Sequence, residues 1–240
     1  WEKEMAKTSD FHKSEMLGYL ISKVGRFVEN EMMRNIIGQP KSGFDFRRVM
    51  DEKKILVVNL AKGTTGEVNA FLLGLILVTK LQMAALGRTD VPESERNDFY
   101  LYIDEVQNFI TDSVATILSE ARKYHLNLII AHQYMGQLVE KGGDAKIKDA
   151  VLGNVGTMVS YRIGPEDAEI LQKEFAPVFG AYDLMNVEKF TAYIKLLIDN
   201  TASRPFNMKP MAPYPGNKEL ARRIKELSRI NYGRPREEVN

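Results

Sequence analysis

The spacing of hydrophobic positions changes along this chain, and the changes predict where helices and strands alternate. Between residues 14 and 37, apolar side chains recur at steps of three and four, which predicts one or two amphipathic helices ending at Gly38. Short continuous apolar runs follow, and such runs are typical of strands buried on both faces of a parallel sheet. These runs are ILVVNL (55–60), FYLYI (99–103) and LNLIIA (126–131), and strands are also predicted at 157–163 and 191–198.

Helical patterns occupy the intervals between these strands. They extend over about 67–86, 113–124 and 165–174, and Asp112 is available as the N-cap of the second helix. The most apolar stretch, 68–79, is shorter than the ~20 residues that span a bilayer, so we interpret it as part of a buried helix. Strands that alternate with helices of this length favour parallel pairing through right-handed crossovers, which predicts an α/β fold.

The end of the chain has a different composition. Residues 201–216 contain four prolines, which is typical of a linker or an extended arm, and residues 217–230 follow as a basic amphipathic helix. We therefore divide the chain into a helical segment (1–50), an α/β core (51–200), and a Pro-rich arm with its terminal helix (201–240). The chain begins without Met and without a basic or apolar leader, so we expect it to be a piece of a longer protein.

Composition excludes several kinds of chemistry. There are no cysteines, which rules out disulfides, thiol nucleophiles and zinc held by cysteine. The 33 Lys and Arg residues balance 32 Asp and Glu residues and leave a formal net charge of +1. No global field therefore draws the chain to nucleic acid or to an anionic membrane, and any contact with a polyanion must be local.

Polar residues that can carry chemistry follow two of the predicted strands. Asp104 and Glu105 come directly after FYLYI, and Gln133 follows the next strand, 29 residues after Asp104. That spacing fits one crossover, so the two strands should end at the same edge of the sheet. Adjacent carboxylates suit a nucleotide hydrolase, in which the first holds Mg²⁺ through water and the second accepts a proton from the attacking water. The alternative is a polar helix start or an ion pair, and we assign the neighbouring His132 no role.

A resemblance to a known family rests on three stretches: FYLYIDEVQNF, ILSEARKYHLNLIIAHQY and NVGTMVSYRIGPEDAEIL. They resemble the Walker B region, the following helix and the glutamine motif of TraG/TraD conjugative DNA-transfer proteins. These are type IV secretion coupling-protein-like ATPases of the FtsK/HerA clan. The resemblance extends from about Trp1 to Pro210 and is strongest between 99 and 170. It implies a RecA-like P-loop NTPase core with a parallel sheet flanked by helices, and ATP and Mg²⁺ as cofactors.

The resemblance also implies roles at individual positions. Asp104 is similar to the Walker B aspartate that helps to coordinate Mg²⁺ and the nucleotide, and Glu105 to the catalytic glutamate. Gln133 is similar to the glutamine that senses the γ-phosphate. Arg122 resembles an arginine that such hexamers present to the nucleotide of a neighbouring subunit, where it would neutralise charge on the transferred phosphoryl group. Arg162, at the end of a later predicted strand, is a candidate second phosphate-facing arginine.

The Walker A loop of the family is missing from this sequence. The chain contains no G-x-x-x-x-G-K-[ST] pattern, and GTTGE (63–67) has neither its glycine spacing nor its Lys-Ser/Thr pair. Family members carry that loop upstream. We therefore expect this chain to be the C-terminal part of the motor domain, which alone binds ATP poorly and hydrolyses almost none.

For Arg122, an alternative is an ion pair on the helix surface with Glu120 or Asp112.

Contact with DNA is a further expectation. Lys141, Lys146 and Lys148 lie in the KGGDAKIKD loop, where a hexamer would turn them toward a central channel and neutralise phosphates. The alternative is a solvated loop, since no aromatic residues suited to base stacking interleave with the lysines. The resemblance implies DNA, further copies of the chain and secretion or relaxosome components as partners. It implies a cytoplasmic location, at the inner face of the membrane if upstream residues anchor the protein.

Two other interpretations remain open at this point. Within the clan, the chain would also suit a HerA-like DNA repair or packaging motor, or a secretion-system ATPase. In a different class, it would be a non-catalytic adaptor that uses an ATPase-like fold for contacts between subunits. The combination of Asp104, Glu105, Arg122 and Gln133 argues against the adaptor, because a scaffold has no physical need for a base and a water-orienting amide.

Overall fold

The computed structural model describes residues 10–109, 112–139 and 143–239. One compact unit takes in the chain before Phe46 and after Pro215, and the other is Phe46–Pro215. The elements in chain order are α1 (Asp10–Glu29), α2 (Glu31–Ile37), α3 (Phe46–Asp51), α4 (Lys62–Thr65), α5 (Glu67–Leu86), β1 (Phe99–Ile103), α6 (Asp112–Glu120), β2 (Leu126–Ile130), α7 (Lys146–Asn154), β3 (Met158–Ser160), α8 (Pro165–Phe175), α9 (Ala181–Met185), β4 (Ala192–Lys195), β5 (Leu197–Ile198), β6 (Thr201–Ala202), β7 (Phe206–Met208) and α10 (Lys218–Tyr232).

The first sheet is a parallel pair, as predicted for β1 and β2. Its register runs from Phe99 opposite Leu126 to Ile103 opposite Ile130, and α6 forms the crossover between the strands. The buried stripe of α6 consists of residues at steps of three and four: Val114, Ile117 and, in the following turn, Ala121. Together with apolar residues of α3, α5 and α7, this stripe forms the main hydrophobic core.

The predicted strand at 55–60 is wrong. Residues 55–61 form no strand, and Ile55 and Val57 are 92% and 85% exposed. A strand requires a neighbour to accept its backbone hydrogen bonds, and within the described chain β1 and β2 pair only with each other. The apolar run ILVVNL therefore remains without the sheet partner that its composition favours.

Helix α5 begins and ends as predicted, but only one of its faces is buried. That face contacts α3 and α6 and comprises residues at helical spacing: Ala70, Gly74, Val78, Leu81 and Ala85. Val68 and Met83 on the other face are 53% and 61% exposed. The predicted burial is thus correct for half of the helix, because no described element covers the rest. By length and composition alone, Glu67–Asp90 would also qualify as a membrane span, with a mean hydropathy of 1.8 and 28% of it buried.

The second sheet has the order β3-β4-β7 and is antiparallel throughout, so the expectation of parallel pairing is wrong for this part of the chain. Two helices rather than one separate β3 from β4, and the chain therefore returns at the end of the sheet where β3 finished. Strand β7 lies within the predicted Pro-rich arm and pairs Met208 with Ala192. The arm thus contributes an edge strand, since the prolines at 205 and 210 flank that strand and leave its backbone N–H groups intact.

Arg88 joins the amino-terminal ends of β1 and β2. Its side chain is fully buried, and Nη1 donates hydrogen bonds to the carbonyl oxygens of Asn97 (2.9 Å) and Tyr124 (3.0 Å), which precede the two strands. Nε lies 3.1 Å from Asp51 Oδ1 at the end of α3. Burial lowers the pKa of the Arg88 guanidinium, and the charge of Asp51 opposes this shift.

The other compact unit contains α1, α2 and α10. Asn30 and Asn217 act as N-caps, since Asn30 Oδ1 accepts from the Met33 N–H (3.1 Å) and Asn217 Oδ1 from the Leu220 N–H (2.9 Å). The predicted helices over 14–37 and 217–230 are therefore confirmed. On α10, Arg222 pairs with Glu219 and Glu226 across the polar face, while Leu220, Ile224, Leu227 and Ile230 form an exposed apolar face.

Candidate functional site

The carboxyl-terminal ends of β1 and β2 are fastened to each other beyond the last strand residues. The Ala131 N–H donates to the Ile103 carbonyl oxygen, and the Val106 N–H donates to the Ala131 carbonyl oxygen, both at 3.0 Å. Val106 is fully buried in the main core. Asp104 and Glu105 lie between these two anchor points, so the backbone holds them at the same edge of the sheet as Gln133.

The backbone of Glu105 is left-handed, with φ 48° and ψ 52°. A non-glycine residue in this region costs about 1 kcal/mol or more, and such residues cluster at functional sites. The conformation turns the chain sharply after Asp104, whose Oδ1 accepts a hydrogen bond from the Glu105 N–H at 2.9 Å. Both side chains are consequently exposed at the rim of the sheet, where a ligand has access to them.

Asn108 and Lys62 extend this arrangement. Asn108 Nδ2 donates to Glu105 Oε2 and to the Glu105 carbonyl oxygen, both at 3.2 Å. Asn108 Oδ1 accepts from Lys62 Nζ at 3.1 Å, and Lys62 Nζ also lies 3.1 Å from Glu67 Oε1. Neither Asn108 nor Lys62 was assigned a role from the sequence. The spacing of Asn108 from Glu105, three residues along a short helical turn, was the available signal.

Helix α5 packs closely against the turn that follows Glu105. At Gly74 an added Cβ would lie 2.1 Å from the ring of Phe109, a distance that real Cβ atoms do not show. The absence of a side chain at Gly74 therefore leaves the space that the Phe109 ring requires. Phe109 follows Asn108 directly, so this contact fixes where the turn after Glu105 lies on the core.

The loop after β2 is held by two polar side chains. Gln137 Oε1 accepts from the Gln133 N–H at 2.8 Å, and both carboxylate oxygens of Asp167 accept from the Met135 N–H at 3.2 and 3.1 Å. Asp167 is 7% exposed and sits in the first turn of α8, where the helix dipole favours a negative charge. The carboxamide of Gln133 is exposed and hydrogen bonds to no described residue, so it is available to a ligand. Neither Asp167 nor Gln137 was predicted from the sequence.

Two buried polar atoms near this edge lack partners among the described residues. They are Oε1 of Gln107, in the turn after Glu105, and Nδ1 of His132, beside Gln133. A buried polar atom without a hydrogen bond costs roughly 1–3 kcal/mol. The edge therefore combines unused hydrogen-bonding groups with a left-handed residue, as sites that accept a ligand commonly do.

Arg122 lies at the opposite, amino-terminal end of the β1–β2 pair. It belongs to the helical turn 121–124, just before β2, whereas Glu105 follows the end of β1. A five-residue strand is about 16 Å long, so the structure does not bring Arg122 to Glu105 within one chain. Arg122 Nη2 donates to Asn200 Oδ1 at 2.9 Å, at the tip of the β5–β6 hairpin. Among the described side chains, this contact replaces the alternative ion pair with Glu120.

Arg162, Lys146 and Lys148 belong neither to the turn after β1 nor to the loop that carries Gln133. Arg162 is exposed just after β3, and Lys141 lies outside the described residues. Lys146 and Lys148 are in the first turn of α7 rather than in a loop, because Ile147 between them is buried in the main core and anchors the helix. Residues two apart on a helix do not share a face, so these two lysines do not form one basic surface.

The donor set suits a metal ion held mainly through water. Within the described parts of the chain, no three His, Asp or Glu side chains form a group that would cage a metal ion. One exposed carboxylate at Asp104 is nevertheless the kind of ligand that a hydrated Mg²⁺ takes beside substrate phosphates. Glu105 is the adjacent candidate for a base, and Gln133 is the neutral amide across the strand pair.

Comparisons with known proteins show what this part of the chain is similar to. A family model described as the TraM recognition site of TraD and TraG matches residues 98–195, a stretch that runs from the start of β1 through β4. Over this stretch the chain is similar to TraD and TraG. The match includes Asp104, Glu105 and Gln133, together with Asp167.

Solved structures of the plasmid coupling protein TrwB share the fold of this chain. The complex with GDPNP has a TM-score of 0.57 at 16% identity, covering 80% of this chain and 49% of TrwB. The complex with ADPNP also has a TM-score of 0.57, at 15% identity and covering 88% and 52%, and the complex with ADP and Mg²⁺ has 0.50. The chain therefore has the α/β, RecA-like fold of a P-loop NTPase, as predicted.

A curated protein of Mycoplasma pneumoniae, described as uncharacterized, is 27% identical over 75 residues, which are 31% of this chain and 49% of that protein. The chain spans about half the length of this relative and of TrwB in its GDPNP complex.

Proposed function

We propose that this chain supplies the Walker B and sensor part of an ATP-driven DNA translocase that acts in conjugative DNA transfer or type IV secretion. The observation that carries the proposal is the pairing of Asp104 and Glu105 with Gln133 at one edge of the β1–β2 pair, secured by hydrogen bonds beyond both strand ends. In this arrangement Glu105 accepts the proton of the attacking water. Gln133 orients that water, and Asp104 would hold the Mg²⁺ that accompanies the nucleotide.

The phosphate cradle of this motor lies on residues outside the chain. This proposal is supported by the lack of a G-x-x-x-x-G-K-[ST] pattern and by the chain's match to about half of TrwB. The exposed apolar run ILVVNL, which pairs with no described strand, supports it as well. When Mg²⁺ and ATP are bound, they supply the phosphoryl group and the charge that offsets its transfer. Residues of this chain then orient the water and remove its proton.

Arg122 acts on a neighbouring subunit in this proposal. Its position, about 16 Å from Glu105 along the strand, separates it from the base of its own chain, which supports a role in a ring of identical subunits. Mixing Glu105→Gln subunits with Arg122→Ala subunits tests this role, since each inactive variant carries the group that the other lacks. Turnover regained on mixing is the expected result, and mixtures as inactive as the separate variants would contradict it.

The decisive experiment measures ATP turnover by the full-length protein, with and without DNA, for wild type and Glu105→Gln. A general base contributes roughly 10²–10⁴ in rate, so Glu105→Gln should lower kcat by at least about 100-fold while nucleotide binding persists. Glu93→Gln, an exposed position in the turn before β1, is the matched control and should retain wild-type turnover. Normal turnover in Glu105→Gln would remove Glu105 from catalysis, and a full-length protein that binds no nucleotide would favour the adaptor.

Partners and location follow from the same proposal. The matching family is described by its recognition of TraM, so we propose that a relaxosome component docks on the 98–195 region at the cytoplasmic side of the membrane. Co-purification of such a component with the full-length protein, and its loss when 98–195 is replaced by the corresponding region of a soluble motor, would support docking there. Retention of the component by that chimera would place docking elsewhere.

A further inference from the structure

A chain of three hydrogen-bonded side chains ends on the carboxylate of Glu105. Lys62 Nζ donates to Asn108 Oδ1 at 3.1 Å, and Asn108 Nδ2 donates to Glu105 Oε2 at 3.2 Å. Lys62 comes from α4, directly after the unpaired run 55–61, so the chain of contacts joins two segments 46 residues apart. Within the described residues, Asn108 is the hydrogen-bond partner of the Glu105 carboxylate.

The chemistry of the three groups allows only one orientation of the amide. A lysine ammonium only donates hydrogen bonds, and an ionised carboxylate only accepts them. Asn108 lies between the two, so its oxygen must face Lys62 and its NH₂ group must face Glu105. Lys62 therefore selects the amide orientation, and the selected orientation presents a donor to the carboxylate. If the amide flipped, its oxygen would face the Glu105 carboxylate and its NH₂ group would face the Lys62 ammonium. Both contacts would then be repulsive.

Glu105 requires such a partner more than an ordinary surface carboxylate does. It is exposed and its left-handed backbone aims its side chain away from the core, so packing does not restrict its rotamers. A catalytic base must stay within hydrogen-bond reach of the attacking water, and a small misplacement lowers the rate substantially. Asn108 also donates to the backbone oxygen of Glu105 at 3.2 Å, which supports the left-handed turn itself.

We propose that Asn108 is a positioning residue that fixes the Glu105 carboxylate for proton removal, and that Lys62 acts through Asn108 by fixing its amide orientation. This inference rests on the proposed function, because it assigns supporting residues to the base of that reaction. Asn108 and Lys62 contact neither the nucleotide nor the water in this proposal. Their loss should therefore change kcat and leave the KM for ATP unchanged.

The kinetic test uses the full-length protein with the variants Asn108→Ala, Lys62→Met and the double variant. Hydrogen bonds to charged groups correspond to about tenfold or more in rate, so Asn108→Ala should lower kcat about tenfold at constant KM. Lys62→Met should lower kcat about threefold, and the double variant should be no slower than Asn108→Ala, because Lys62 acts only through the amide. Asn154→Ala removes a comparable exposed side-chain hydrogen bond on α7 and is the control that should leave kcat unchanged.

The outcomes separate this inference from the proposed function. If Glu105→Gln abolishes turnover while Asn108→Ala keeps the wild-type kcat, the positioning role is overturned and the proposed function stands. If Glu105→Gln retains turnover, the proposed role of Glu105 is wrong, and the positioning role that rests on it is overturned as well. A double variant whose losses multiply would show that Lys62 does not act through Asn108.

A spectroscopic test on the 240-residue chain does not depend on turnover. In ¹H–¹⁵N spectra, the side-chain NH₂ signals of Asn108 should move in Glu105→Gln, which weakens the acceptor, and in Lys62→Met, which frees the amide oxygen. Lys189→Met, a substitution in the loop before β4, should leave these signals unchanged. Asn108 signals that stay in place in both test variants would overturn the hydrogen-bonded chain.

Discussion

The two ends of the β1–β2 pair differ in the burial and in the contacts of their polar side chains. At the amino-terminal end, Arg88 is fully buried, and its guanidinium contacts Asp51 and two backbone carbonyl oxygens. At the carboxyl-terminal end, Asp104, Glu105 and Gln133 are exposed. The first end has long-range polar contacts that hold elements together, whereas the second keeps carboxylate and amide groups available to a ligand.

Arg47 adds to the contrast at the amino-terminal end. It forms an ion pair with Asp51, donates to the Gly87 carbonyl oxygen at 2.8 Å and lies 2.8 Å from Asp90 Oδ1. The hydrogen bond from Arg47 lowers the pKa of the Asp90 carboxyl, and the same pair raises the pKa of Arg47. Left-handed residues and buried polar atoms without described partners occur at both ends, so they do not distinguish the two ends. The contrast lies in the arginine ion pairs at the amino-terminal end and the exposed carboxylate and amide groups at the carboxyl-terminal end.

The largest expected effect is at the amino-terminal end. Arg88→Met should lower the free energy of unfolding by about 3 kcal/mol, because the carbonyl oxygens of Asn97 and Tyr124 lose a buried donor and Asp51 keeps only its pair with Arg47. Urea denaturation of the 240-residue chain measures it. Arg48→Met, which removes a surface pair with Glu52, is the control and should cost about 0.5 kcal/mol or less. Equal losses in the two variants would remove the contrast between a buried and a surface arginine.

A smaller effect is expected where α8 supports the carboxyl-terminal end. Asp167→Ala should cost about 2 kcal/mol, because the buried Met135 N–H loses both of its acceptor oxygens. The amides of the Gln133 loop should also exchange with solvent faster, which hydrogen exchange measures. Glu166→Ala, at the exposed neighbouring position, should change neither quantity. Unchanged exchange in Asp167→Ala would mean that α8 does not hold this loop.

The smallest effect has the opposite sign. Glu105→Gly should raise the free energy of unfolding by about 0.5–1 kcal/mol, because glycine adopts a φ of 48° without the steric cost that glutamate bears. Turnover by the full-length protein should be lost in the same variant. Lys53→Gly, at another left-handed position with a φ of 55°, should gain a similar amount and retain turnover. A destabilised Glu105→Gly would show that the turn is held by contacts of the side chain rather than strained.

Local pattern allowed most elements to be predicted. The limits of α5 and of β1 follow from apolar runs and periodicity, and both agree with the structure. The pattern failed at 55–60 and in the second sheet, since the composition of a strand does not specify its neighbour or its direction. Lys146 and Lys148 were predicted to lie in a loop, but they are in the first turn of α7. One apolar residue between them, Ile147, is too short a pattern to predict the start of a helix.

The sequence by itself determined the α/β class and the position of Asp104, Glu105 and Gln133 at strand ends, because both depend on residues that are adjacent along the chain. Only the tertiary structure decided which side chains support them. Asp167 reaches Met135 across 32 residues, and Lys62 reaches Asn108 across 46. Such pairs depend on how helices pack on the sheet, and no local periodicity encodes that packing.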